Sequence, residues 1–316
     1  MKKLLICGAT GFIGRNLVEH FSKLGEYSVK AVYNKRPPLH DVPNVQWVQA
    51  DLNNAADVER VVDGADVVLQ YAATTSGAGD IVNRPYIHVT DNAVMNSLVL
   101  RQCYESNVGQ IVFPSCTVMY QPSPWPLSES DFHPEIEMLP NYFGVGNTKV
   151  YIEKMCEFFS RLGKTKHTVL RQSNIYGPYD KYDLKKSHFF GATVTKVMKN
   201  ETGQIEVWGS GEEKRDLLHV DDLVRSVQLS LEKQDSAFEI FNIGLGDEYS
   251  INEVVDKLVS ASGKELSITH NLDKPTIKTS LYLDCDRAKN ILGWSPEISL
   301  DEGVQRTISW YRENVL

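Results

Sequence analysis

The chain has 316 residues, a net charge of −8 and 42% hydrophobic residues, room for one large or two moderate domains and too acidic for a general nucleic-acid or membrane-surface binder. No apolar run reaches a membrane span and the first residues enter a strand without a signal-peptide pattern, so neither a membrane nor a nucleic-acid partner is expected. Five scattered cysteines (Cys7, Cys103, Cys116, Cys156 and Cys285) lack metal spacing, which predicts a reduced, cytoplasmic chain with no metal site.

Leu4–Cys7 is an apolar run short enough for a buried parallel strand. Gly8, Gly11 and Gly14 follow at G-x-x-G-x-x-G spacing, and Leu17, Val18 and Phe21 begin a helical pattern. Strand, glycine turn and helix in that order is the context of a dinucleotide site: the glycines permit a tight turn and close approach of backbone to pyrophosphate, and the helix N-terminus offers free N–H groups. The candidate contacts are Gly8, Thr10, Gly11, Phe12, Ile13 and Gly14; taken alone, the trio also reads as a plain tight turn. A second strand, Ser28–Tyr33, ends in Asn34-Lys35-Arg36. An acid there would hold the ribose hydroxyls of NAD; a basic pair suits the extra phosphate of NADP, and a solvated turn is the equal alternative, so the cofactor is NAD or NADP.

Val45–Ala50 reads as a third strand followed by Asp51-Leu52, Asp57–Val62 as a helix closed by Gly64, and Val67–Tyr71 as a fourth strand ending in Ala72-Ala73. Thr74–Pro85, with Gly77 and Gly79, reads as a mobile loop. A helix carrying Val89, Ala93, Leu98, Leu100 and Cys103 follows, with Asn92 on it, and then a fifth strand, Gln110–Pro114. Strands alternating with helices predict an α/β fold with a doubly wound parallel sheet, whose ligands lie beyond the carboxyl ends of the strands. The Pro-rich segment to Pro140, with Glu129, Asp131, Glu135 and Glu137, is expected on the surface beside the site. Val145–Leu162 is a long helix and His167–Arg171 a sixth strand. From Asn174 the pattern changes. Val194–Met198 reads as helical, Ile205–Gly209 and Ile240–Gly244 as strands, Ser250 as the cap of a helix from Ile251, and Leu300 as the start of the last helix. This part is too short for further strand–helix repeats and reads as a smaller substrate-binding domain.

Three ordered stretches, Tyr176–His188 (YGPYDKYDLKKSH), Val207–Asp222 (VWGSGEEKRDLLHVDD) and Leu292–Gly303 (LGWSPEISLDEG), together with GATGFIG, resemble the extended short-chain dehydrogenase/reductase family. The similarity lies in its nucleotide-sugar branch and is greatest to the GDP-fucose synthase group. The resemblance implies a Rossmann sheet over residues 1–171, with 216–245 returning to it, and a sugar-nucleotide-binding region over 172–316. It implies that Asp51-Leu52 borders the adenine, that Ala72-Ala73 lies under the cofactor, and that Asn92 matches a family asparagine. Arg215 matches an arginine on the sugar-nucleotide pyrophosphate, a role suited to its forked donors; a surface ion pair with Glu212 or Asp216 is the bland alternative. Asn174 and Trp208 are further substrate candidates, although Trp208 also reads as packing under its strand. His219 is expected to be structural. His188 matches a histidine acid, against the commoner reading of a packed residue.

The family works through Tyr-x-x-x-Lys on one helix, where a spacing of four puts both side chains on one face. Lys149 is present and the tyrosine position is Val145. Cys116 stands at the helper serine or threonine with Thr117 beside it, Val118 stands at the second epimerase group, and a basic residue is absent around Ser280-Leu281. Thr117, His188, Cys116, Tyr142 and Tyr179 are the groups available to take over the proton. The expected reaction is hydride transfer at C4 of a GDP-linked hexose or heptose for surface-polysaccharide synthesis. A C4 epimerase or a silenced nucleotide-sugar sensor are the alternatives. The Asn92 and Val145–Leu162 helices are expected to form a homodimer interface.

Overall fold

The computed structural model describes residues 1–75, 84–184, 187–274, 276 and 280–316. The expected mobile loop falls largely on 76–83, outside the described residues. In chain order the strands are β1 (Lys2–Cys7), β2 (Tyr27–Tyr33), β3 (Val45–Gln49), β4 (Val67–Gln70), β5 (Gln110–Cys116), β6 (Lys166–Gln172), β7 (Asn174–Tyr176), β8 (Gln204–Trp208), β9 (Lys214–Arg215), β10 (Leu217–His219), β11 (Phe238–Ile243), β12 (Tyr249–Ser250) and β13 (Ser267–Asn271). The helices are α1 (Phe12–Lys23), α2 (Ala55–Val62), α3 (Thr90–Glu105), α4 (Phe143–Ser160), α5 (Phe189–Met198), α6 (Val220–Lys233), α7 (Ile251–Ser262), α8 (Asp286–Leu292) and α9 (Leu300–Asn314).

Seven strands form one parallel sheet in the order β11-β6-β5-β4-β1-β2-β3. Leu4 of β1 lies opposite Val29 of β2 and Val67 of β4. Successive residues of a strand face opposite sides, so Leu4 and Ile6 enter one core with α1, α6 and α8, while Leu5 and Cys7 enter the other with α2, α3 and α4. Burial of β1 on both faces is why its sequence is continuously apolar. The strand order reverses between β1 and β4, which opens a crevice at their carboxyl ends.

Small strand pairs β7–β10, β9–β12 and β8–β13 lie outside this sheet, and α5, α7 and α9 enclose a third core around Tyr176, Phe190 and Val254. Two of the recognisable sequence stretches lock together. The Asp222 carboxylate accepts from the N–H groups of Glu297 and Ile298 (2.9–3.1 Å), and Trp294 Nε1 donates to the Asp222 carbonyl at 3.0 Å. His219 is buried as the cap of α6, accepting from the Asp221 N–H at 3.3 Å, a structural role as expected.

The Pro-rich segment corrects one expectation. Asp131, Glu135 and Glu137 are exposed, but Glu129 turns inward, where its carboxylate accepts from the Asn242 N–H at 2.6 Å and its carbonyl from Arg171 at 3.1 Å. A segment polar in composition is drawn in because β11 offers it a backbone donor.

Candidate active site

The glycine turn has the shape that a dinucleotide needs. Gly8 sits at φ +71, and a Cβ there would lie 2.6 Å from the Tyr71 carbonyl oxygen and 2.7 Å from Ala72 Cα across the crevice. Gly11 begins α1 with no side-chain cap, so the first-turn N–H groups of Phe12, Ile13 and Gly14 remain available to pyrophosphate. Thr10 lies in the same turn. The residues present therefore fit the group.

Around this turn stand the other expected cofactor positions. Asn34 and Lys35 are exposed just beyond β2, and the Asn34 carbonyl accepts from Gln49 Nε2 at 2.9 Å. No acid occupies the end of that strand. Asp51 is exposed and tied into its loop, its Oδ1 accepting from Asn53 N–H at 3.1 Å, while Leu52 is buried. Ala72 and Ala73 line a cavity that also touches Val145 and Lys149.

Lys149 projects from α4 to the end of β5. Its Nζ donates to the Pro114 carbonyl at 2.6 Å and lies 4.7 Å from the Phe113 ring centre. Burial lowers the Lys149 pKa against the raising influence of Cys116 and Glu153. Burial raises the Cys116 thiol pKa, with Lys149 pulling it down. Thr117 is the next residue, half-buried beyond β5. Tyr142 sits just before α4; burial raises its pKa, with Arg215 lowering it and Cys116 raising it. Tyr142 is thus electrostatically linked to both Arg215 and Cys116. Arg215 on β9 donates from Nη1 to the Lys214 carbonyl at 2.7 Å, and burial lowers its pKa, opposed by Tyr142 and Glu213. The structure thus gathers Lys149, Cys116, Thr117, Tyr142 and Arg215 beyond the carboxyl end of β5.

His188 precedes α5 with one side open to solvent, yet enough atoms surround it that desolvation, followed by the charges of Lys181 and His88, lowers its pKa. Asn174 on β7 donates from Nδ2 to the Asp216 carbonyl at 3.0 Å. Trp208 is not brought into the Lys149 group. Its indole is half exposed, 5.6 and 5.5 Å from Lys196 and Lys274, with Nε1 donating to Glu206, which also excludes the packing-under-the-strand reading. Tyr179, at φ +68, packs with Arg15 3.9 Å over its ring and Trp310 against its edge.

Two groups escaped the sequence reading. His88 lies 6% exposed beside Val145 and Lys149; its only sequence signal is its spacing of four before Asn92, whose Nδ2 donates to the His88 carbonyl at 2.8 Å. Asp180 is buried, its Oδ1 accepting from the Lys181 N–H at 2.6 Å, and burial pushes its carboxyl up to about 7. Between the ordinary carboxylate value and 7 the folded chain holds a proton that the unfolded chain lacks, so this group costs stability as pH rises through that window. Asp180→Asn is therefore expected to stabilise the protein by about 1–3 kcal/mol near pH 8. The gain should shrink as pH falls and vanish near pH 3, below the ordinary carboxylate value; thermal unfolding of the pair at the two pH values checks it.

Among the described residues no cluster of three metal-ligating side chains occurs, and no helix is long and apolar enough to cross a membrane. The chain is 27% identical over 321 residues to a GDP-L-fucose synthase of Azorhizobium caulinodans, covering 98% of this chain and 96% of that one. Among solved structures it resembles a UDP-glucose 4-epimerase of Thermotoga maritima with UDP-glucose, at TM-score 0.88 and 26% identity over 99% of this chain and all of the other. MoeE5 in complex with UDP-glucuronic acid and NAD aligns at TM-score 0.86 and 25% identity over the whole of both chains. With the glycine turn, the seven-stranded parallel sheet and a family profile that matches residues 4–244, the chain belongs to the NAD dependent epimerase/dehydratase family.

Proposed function

We propose that this enzyme is an NAD(P)-dependent oxidoreductase acting at C4 of a GDP-linked hexose or heptose, in the assembly of a surface polysaccharide. The observation that carries the reading is the pairing of a retained Lys149 with Val145 one helical turn before it. A site that keeps its cofactor-side lysine but has no phenol at 145, and valine at 118, suits a single hydride transfer better than a longer epimerising sequence. The full-length similarity to a GDP-L-fucose synthase supports a GDP-linked substrate.

The dinucleotide, when bound, supplies or accepts the hydride. The turn Gly8–Gly14 would hold its pyrophosphate, Ala72, Ala73 and Lys149 its nicotinamide ribose, and Asp51, Leu52, Asn34 and Lys35 its adenosine end. Arg215 and Asn174 would hold the sugar nucleotide, with Trp208 reachable by its far end. Cys116, Thr117, Tyr142 and His188 surround the place where a sugar hydroxyl must lose or gain its proton. The likeness to a UDP-glucose 4-epimerase favours a second reading, C4 epimerisation with the cofactor retained.

A homodimer fits the surface. Phe143, Tyr151 and Phe158 of α4, with Val94 and Tyr104 of α3, are large apolar side chains left exposed on adjacent helices, the composition of an interface rather than of a solvated face. A solution mass twice the 35.6 kDa chain is expected.

The test is to mix the protein with NAD or NADP and a panel of GDP-, UDP- and dTDP-sugars, following nicotinamide absorbance and sugar mass. A two-hydrogen loss or gain in one GDP-sugar is expected, with Lys149→Met at least about 100-fold slower. An isomer of unchanged mass would replace this reading with the epimerase, and tight binding without product across the panel would replace it with a sensor.

A further inference from the structure

His88 belongs to no group assigned above, and three observations single it out. The residue is only 6% exposed, yet its Nε2 has no hydrogen-bond partner among the described residues, which is costly for a buried polar atom unless something else meets it. It lines a cavity of about 20 Å³ together with Gln70, Ala72, Ala73, Val145 and Lys149. Gln70 Oε1 is likewise without a partner among the described residues. A cavity of that size holds one water, and two polar atoms without partners on the side chains of its wall are the setting in which a buried water is stable.

The cavity lies between the residues under the cofactor, Ala72 and Ala73, and the position where the family's phenol is replaced by an aliphatic side chain. The turn bearing His88 is clamped to the loop after β4 by Asn92, whose Nδ2 donates to the carbonyls of His88 and Thr74 and whose Oδ1 accepts from the Thr74 N–H. Among the described residues, Lys149 from α4 lines the same cavity as His88, and His188 before α5 lies close enough for the two imidazoles to influence each other electrostatically.

We infer that His88, acting through one water in this cavity, exchanges the proton of the reacting sugar hydroxyl in place of the phenol missing at Val145. The inference rests on the oxidoreductase reading above. In the oxidising direction the C4 hydroxyl gives its proton to the water as the water passes one to His88 Nε2. The C4 hydrogen leaves with its electron pair for the oxidised dinucleotide, and the carbonyl forms from the oxygen electrons freed by the lost proton. Reduction runs the same transfers backward. His88 touches the reacting oxygen only through the water, so it is a positioned proton relay, and its test needs a signature that packing alone would not produce.

The experiment compares four full-length proteins: the parent, His88→Gln, Val145→Tyr and the double variant, each with dinucleotide and the GDP-sugar identified by the panel. His88→Gln is expected to lower kcat about 10²–10⁴-fold, to leave KM for the sugar within about threefold, and to remove one ionisation from the kcat–pH profile. In the Val145→Tyr background the same change should cost under about tenfold, because a phenol again supplies the proton. Without any ligand, the His88 imidazole NMR signal, assigned by its loss in His88→Gln, should shift when tyrosine occupies 145. Retained turnover in His88→Gln, an equal loss in both backgrounds with an unaltered pH profile, or an unmoved imidazole signal would each overturn the relay. A parent that turns over no sugar fails the oxidoreductase reading and the relay with it; a parent that turns over sugar and ignores His88→Gln fails the relay alone.

Discussion

Gly14→Ala is expected to weaken dinucleotide binding at least about 100-fold and to destabilise the fold by about 2–4 kcal/mol. The added methyl would stand 2.1 Å from the Gly8 carbonyl oxygen, 2.8 Å from its carbon and 3.0 Å from Ala9 Cα. All three are backbone atoms of the β1–α1 turn, so no side chain can swing aside and α1 must lift from the strand. Lifting it moves the N–H groups that would receive the pyrophosphate. Gly25→Ala is the contrasting control, since Gly25, unlike the helical Gly14, has a φ of +70 but open space around it. It should cost about 1–2 kcal/mol from the backbone conformation alone and leave cofactor affinity unchanged. Titration calorimetry with NAD, alongside thermal unfolding, separates the two effects.

Glu153→Gln is expected to lower unfolding stability by about 3–5 kcal/mol. Glu153 and Arg171 are 3% and 4% exposed, with Arg171 Nη2 2.7 Å from Glu153 Oε2 and Nε 3.1 Å from Oε1. The guanidinium also donates to Tyr120 Oη at 2.9 Å, and Tyr120 in turn donates to Asn242. Removing the carboxylate charge leaves a buried cation whose remaining partners are neutral, which costs more than the pair itself contributes. The Glu153→Leu/Arg171→Leu double variant should therefore lose less than the two single changes added together. Urea unfolding of the four proteins closes the cycle; additive losses would show that the two side chains do not depend on each other.

The parts of this molecule legible in the sequence are those encoded over short spans. The β1–glycine–α1 unit could be read because strand, turn and helix each leave a local pattern, and the four-residue spacing on α4 exposed the loss at Val145 beside Lys149. Ser250 was recognisable as a cap because Glu253 completes a capping box three residues on. What resisted reading depends on partners far along the chain. Trp294 and Asp222 looked like two separate motifs although they meet across 72 positions. Glu129 looked like surface because nothing nearby shows that the Asn242 N–H, 113 positions away, needs an acceptor. His88 stood in an unremarkable turn, and only the folding of that turn against α4 buries a ring nitrogen that no described residue meets. Trp208 was grouped with the substrate residues by its motif, while β8 and β13 place it at an outer edge beside lysines.

The order of strands in the sheet also governs how the chain can assemble as it is synthesised. β6 is flanked by β5 and β11, but β11 lies 66 residues or more beyond the end of β6, as the register from Phe238 against His167 to Ile243 against Gln172 makes plain. Until Phe238–Ile243 leaves the ribosome, a nascent chain that has already formed the dinucleotide-binding strands presents β6 as an unpaired edge, open to another chain. The same delay leaves Tyr120 and Glu129 without Asn242. Completion of the sheet therefore waits on a segment made after the smaller cluster has begun to emerge, which gives molecular chaperones a defined interval in which protection matters most.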